Sequence, residues 1–75
     1  KEIIAINLDA LNRFEDGATV TVETLLEAGI IKKAGDGVKI LGNGELNKRL
    51  IVKVNAYSAS AEEKIKALGG NAEVV

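Results

Sequence analysis

Any catalysis in this chain would have to run on carboxylates, hydroxyls or lysines, because it contains neither His nor Cys. That absence removes thiol redox chemistry, zinc fingers and iron–sulfur sites. Paired carboxylates, the usual general acid and base, occur at Glu15-Asp16 and Glu62-Glu63. The first pair falls in a turn and the second in the opening turn of a helix, where the cap and the macrodipole account for acidic residues. Neither has the apolar context that would push a carboxylate toward neutrality. Ser58 and Ser60 have no His to take a proton, and capping accounts for Ser60. Gly35-Asp36-Gly37 and Gly42-Asn43-Gly44 share only glycine spacing with phosphate-binding loops. The Walker pattern must end in Gly-Lys-Ser/Thr ahead of a helix, and the dinucleotide pattern needs a third glycine on a strand-to-helix turn. Both stretches therefore read as turns, and Asp36 lacks the second carboxylate an EF-hand requires. No enzyme activity, cofactor, metal or small-molecule substrate is expected.

The remaining chemistry is charge. The whole chain carries 10 basic and 11 acidic side chains, net -1. Residues 1–31 hold 2 basic and 6 acidic groups (2 − 6 = -4), residues 32–53 hold 6 and 2 (6 − 2 = +4), and residues 54–75 hold 2 and 3 (2 − 3 = -1). A partner feels a local field over about one Debye length, 8–10 Å, so the gradient says more than the total. The basic segment is Lys32, Lys33, Lys39, Lys48, Arg49 and Lys53. Read from the residues alone, these are solvated loop charges or contacts to phosphates, and solvation is the ordinary case. With one Tyr and one Phe, stacking on exposed bases cannot be the main mode of nucleic-acid binding.

Seventy-five residues, 47% hydrophobic and 28% charged, make one small globular domain over residues 1–75 with no linker and no repeat. The apolar runs are far shorter than a membrane span or a signal-peptide core, so a soluble, intracellular domain is expected. The chain begins at Lys1 and not at Met, which suggests part of something longer. Ile3, Ile4 and Ile6 open with a strand, after which Asn7 caps a short helix bearing Leu8, Leu11 and Phe14. Thr21 caps a second short helix with Val22, Leu25 and Leu26 buried, stopped by Gly29. A basic loop over 32–37 leads to a strand at 38–41, a turn at 42–44 and a strand at 50–54 with residues 50, 52 and 54 on one side. Whether these two strands run parallel stays open, because the intervening loop suits neither a tight hairpin nor a crossover helix. Ser60-Ala61-Glu62-Glu63 has the form of a capping box for a helix with Ala61, Ile65 and Leu68 on one face, ended by Gly69-Gly70. A final strand over 71–75 places Ala72 and Val74 together. The sum is a mixed α/β arrangement.

Asn7-Leu8-Asp9-Ala10-Leu11-Asn12-Arg13-Phe14-Glu15-Asp16-Gly17, Thr24-Leu25-Leu26-Glu27-Ala28-Gly29 and Gly37-Val38-Lys39-Ile40-Leu41-Gly42-Asn43-Gly44-Glu45-Leu46 resemble the C-terminal globular part of the bacterial L15 family of large-subunit ribosomal proteins. The resemblance runs on through the strand at 50–54 and through Ser58, Ala61, Ile65 and Gly69. Tyr57 stands where that family usually has Phe or an aliphatic, which adds a hydroxyl in need of a partner. The family's Gly-, Arg- and Lys-rich N-terminal arm is absent from this sequence. The resemblance implies an irregular superhelix of strand-strand-helix turns of the L15/L18e type. It also implies a role as a structural constituent of the large subunit on the cytoplasmic ribosome, binding 23S rRNA beside neighbouring ribosomal proteins and supporting assembly. On that footing Lys32, Lys33, Lys39, Lys48 and Arg49 become phosphate contacts, and Gly42, Asn43 and Gly44 become turns where the backbone comes close to RNA. A second expectation, from charge alone, is that Asp9, Glu15, Asp16, Glu23 and Glu27 face a basic protein partner without RNA.

Overall fold

A computed structural model describes residues 2–75; Lys1, counted above in the charge of the first segment, lies outside them. The order is β1 (Ile4–Asn7), a 3-10 helix (Leu8–Arg13), β2 (Thr19–Thr21), α1 (Val22–Glu27), β3 (Val38–Leu41), β4 (Ile51–Val54), β5 (Ala56–Tyr57), α2 (Ala59–Ala67) and β6 (Asn71–Val74). Odd strands form one sheet, β1-β3-β5, and even strands the other, β2-β4-β6, with every pairing parallel. The chain thus alternates between two sheets and adds one strand to each in turn, which is the superhelical winding the resemblance implies. It also answers the open question of strand direction: β3 and β4 belong to different sheets, and residues 42–50 form the crossing between them.

The return crossing takes a single residue. Asn55 separates β4 from β5; its amide oxygen accepts the Val38 N–H at 2.8 Å and its amide nitrogen donates to the Val75 carbonyl at 3.2 Å. One side chain therefore stitches both sheets where the chain turns.

Alternation along the strands follows the period of two. Leu50, Val52 and Val54 are all fully buried, as their spacing requires, and meet Leu8, Leu11, Val20, Leu25, Val38, Ile40 and Ile65 in one cluster between the sheets and helices. Two expected core residues are outside it. Leu26 is 38% exposed because α1 lasts only six residues and Leu25 alone takes the inward position. Leu68 is 40% exposed because α2 stops at Ala67, so the last leucine follows the C-cap geometry and leaves the buried stripe. Val74 shares the inward face with Ala72 yet is 71% exposed, because it lies at the end of the edge strand β6 where little packs over it. The radius of gyration, 10.9 Å, matches the ~11 Å of a compact chain this long.

Local details depart from expectation at three caps and strands. Asn7 precedes a 3-10 helix without capping it; its side-chain oxygen instead accepts the Asn43 amide at 3.2 Å. Thr19-Val20-Thr21 is a strand in its own right, and Thr21 both ends it and caps α1 in a reciprocal box with Thr24. The cap of α2 is Ser58 and not Ser60: the Ser58 hydroxyl accepts the Ala61 N–H at 3.2 Å. A cap needs an extended backbone, and Ser58 has it because its N–H still completes the β-ladder to the Ile40 carbonyl at 2.9 Å.

Tyr57 resolves the demand of its hydroxyl inside the protein. From β5 it reaches across to the other sheet, donating to the Glu73 carbonyl (2.6 Å), with the Val52 carbonyl also within 2.9 Å, and accepting the Val54 N–H at 3.3 Å. Burial lifts this phenol above its ordinary pKa, and the nearby charges of Glu73 and Glu62 add to the rise.

Candidate nucleic-acid interface

The loop that crosses between the sheets, residues 42–50, is tied down along its length. Gly42 N–H donates to the Ser58 hydroxyl at 3.0 Å, which lets one serine cap α2 and hold the loop. Lys64, one turn into α2, donates its ammonium to the Gly42 carbonyl at 2.9 Å and the Gly44 carbonyl at 3.2 Å. From the other side, the Asn12 amide brackets the loop, donating to the Glu45 carbonyl at 2.8 Å and accepting the Asn47 N–H at 2.7 Å. Asp16 accepts the Arg49 N–H at 2.8 Å, and Gly17 N–H donates to the Arg49 carbonyl at 2.6 Å. Leu46 and Leu50 point inward from the same loop. An open groove of about 340 Å³ runs between the loop and α2, lined by Glu45, Leu46, Asn47, Lys64, Ala67 and Leu68.

Gly42 and Gly44 owe their identity to this clamp. A Cβ at Gly42 would strike the Ser60 hydroxyl and stand 2.9 Å from the Ala61 nitrogen; one at Gly44, where φ is +81°, would lie 2.5 Å from an Asp9 carboxylate oxygen. The close approach is made to the chain's own α2 and 3-10 helix, with Asn43 between them exposed. Sequence reading missed Asn12, Ser58 and Lys64 in this role. No local pattern marks them, since each acts on residues 16 or more positions away.

The basic segment does not gather into one patch. Lys33 pairs with Glu2 at 3.0 Å, beside Asp36, which accepts the Glu2 N–H, at the end of the first sheet where β1 and β3 begin. Arg49 lies where β2, β4 and β6 begin, between the Asp16-Gly17 turn and Gly69. Because β4 runs from Arg49's end and passes through Asn55 to the end that holds Lys33, at least one strand length, about 10 Å, separates them. Lys39 projects from the outer face of β3 with Ala5 and Ala56 as its cross-strand neighbours, so the lysine stands on a face of small side chains. Lys53 faces out between Thr21 and Glu73. Lys32 is exposed and Lys48 half-buried. Asp9, Glu15, Asp16, Glu23 and Glu27 are all exposed; of these the Asp16 carboxylate accepts the Arg49 N–H and the Asp9 carboxylate lies against Gly44 of the crossing loop. Among the described residues, no three His, Cys, Asp or Glu side chains are grouped so as to hold a metal ion.

The fold is therefore a pair of parallel sheets wound alternately from one chain, with its basic residues spread over two ends and one sheet face. The family model of ribosomal proteins 50S-L15 and 50S-L18e, which also takes in their 60S counterpart, matches residues 5–73, and the chain belongs to that family. It is a family of ribosomal structural proteins and not of enzymes. Among curated relatives, the large ribosomal subunit protein uL15 of Lachnoclostridium phytofermentans is 71% identical over 75 residues, covering 100% of this chain and 51% of that protein. The large ribosomal subunit protein uL15 of Agathobacter rectalis is 67% identical over 73 residues, 97% of this chain and 50% of its own length. The chain thus spans about half the length of these relatives.

Proposed function

We propose that residues 1–75 are a folded domain of a structural protein of the large ribosomal subunit, held against 23S rRNA by phosphate contacts and supporting subunit assembly on the cytoplasmic ribosome. The observation that carries this reading is membership of a ribosomal family along nearly the whole chain, at residues 5–73. Lys32, Lys33, Lys39, Lys48 and Arg49 supply the contacts, at two ends of the fold and on one sheet face. Residues Gly42, Asn43 and Gly44 form the turn that brings the backbone near RNA, and neighbouring ribosomal proteins complete the surroundings. The competing idea of an acidic face for a basic partner is weakened at Asp16, whose carboxylate is engaged by the chain's own Arg49 N–H.

The test is the salt dependence of binding to 23S rRNA. Replacing both Lys48 and Arg49 by Ala lowers affinity and flattens the slope of log K against log salt by roughly 0.7–0.9 for each phosphate no longer neutralised. An unchanged slope removes these two residues from the interface. Binding that persists after RNase digestion of a pull-down would instead favour the protein-partner reading.

A further inference from the structure

We propose that Asp16 is a positioning residue that presents Arg49 to an RNA phosphate before any RNA arrives; this deepens the reading of Arg49 as a phosphate contact and rests on it. The peptide around Arg49 is held on both sides, its N–H by the Asp16 carboxylate at 2.8 Å and its carbonyl by the Gly17 N–H at 2.6 Å. The next residue, Leu50, is fully buried, and its carbonyl accepts the Asn71 N–H at 2.9 Å. The Arg49 side chain is exposed, and its stem passes Gly69, with Cδ 3.4 Å from where a Cβ on that glycine would stand. A side chain at 69 would crowd that path. Among the described residues no backbone hydrogen bond holds Lys32, Lys33 or Lys48, and no carboxylate lies within ion-pair distance of the Arg49 guanidinium. The Arg49 main chain is therefore fixed by its neighbours, while among the described residues its exposed guanidinium has no carboxylate partner.

The cost of ordering a long side chain and its loop is a large part of what binding must overcome, and a mount fixed beforehand removes some of it. Asp16 makes this testable because its charge argues the other way. A carboxylate beside a phosphate contact repels the ligand, so on charge alone any neutral residue at 16 should tighten binding.

The experiment measures binding of a 23S rRNA transcript across a salt series for the wild type, Arg49→Ala, Asp16→Ala and Asp16→Asn. Arg49→Ala flattens the slope. Asp16→Ala weakens binding roughly threefold to tenfold, the range expected for loosening the main chain that carries Arg49 and its loop. Asp16→Asn removes the same charge but keeps an oxygen acceptor, and binds at least as tightly as the wild type. Equal tightening by both Asp16 variants overturns the inference and leaves the RNA reading standing, whereas an unchanged slope for Arg49→Ala overturns the RNA reading of that residue and the inference with it. Amide hydrogen exchange in the free wild-type protein gives a readout independent of how Asp16→Ala folds. The Arg49 amide is protected before RNA is added, and exchange at the unprotected rate sinks the proposal.

Discussion

Tyr57 shows what a single atom does in a chain this small. Its hydroxyl joins the two sheets through Glu73, Val52 and Val54, in a protein with no disulfide to do so. Tyr57→Phe should cost about 1 kcal/mol, the usual worth of a satisfied hydrogen bond, and more where the Val54 N–H is left without its acceptor; urea titration reads the loss. The raised pKa fixes the sign of a pH effect. The folded protein holds the phenolic proton more tightly than the unfolded chain, so this contribution is complete below the unfolded value, near 10, and is lost as pH rises through the folded one. Alkaline stability curves should fall more steeply for the wild type than for Tyr57→Phe. As the only Tyr, it reports its own titration by ultraviolet absorbance, and a midpoint below the free-tyrosine value would refute the direction.

At the scale of the element, α2 and the crossing loop are one unit. Ser58 caps the helix and takes the Gly42 N–H, so Ser58→Ala removes the acceptor of two hydrogen bonds at once. The expected loss is about 1–2 kcal/mol in chemical denaturation, while Ser60→Ala stays within roughly 0.5 kcal/mol of the wild type. The reverse order would restore Ser60 as the cap. The capping box at Ser60-Ala61-Glu62-Glu63 is a legitimate sequence signal, and it failed because the strand that ends at Tyr57 had already set Ser58 in the extended conformation. Short strands escape sequence reading for a related reason. Thr19–Thr21 and Ala56–Tyr57 have three and two residues, too few to show a period, and they exist because β4 and β3 offer them a parallel edge.

For the whole molecule, the consequence of two alternating sheets is that a run of cations contiguous in sequence is divided in space. Lys33 and Arg49 lie at least a strand length apart with separate partners, so their effects on RNA binding should add: the binding free energy removed in Lys33→Ala/Arg49→Ala equals the sum for the two single variants within about 0.3–0.5 kcal/mol. A clear shortfall from additivity would mean that one phosphate is shared by both. The sequence by itself determined the mixed α/β composition, the inward faces of Leu50, Val52 and Val54, the glycine turns and the ribosomal family, because these rest on local period, backbone preference and the quoted motifs. It could not determine which strands pair, where α2 begins, or that Asp16 faces Arg49 and not a partner. Those depend on interactions such as Asn12 to Asn47 and Asp16 to Arg49, 35 and 33 residues apart, which exist only once the superhelix has wound one turn against the next.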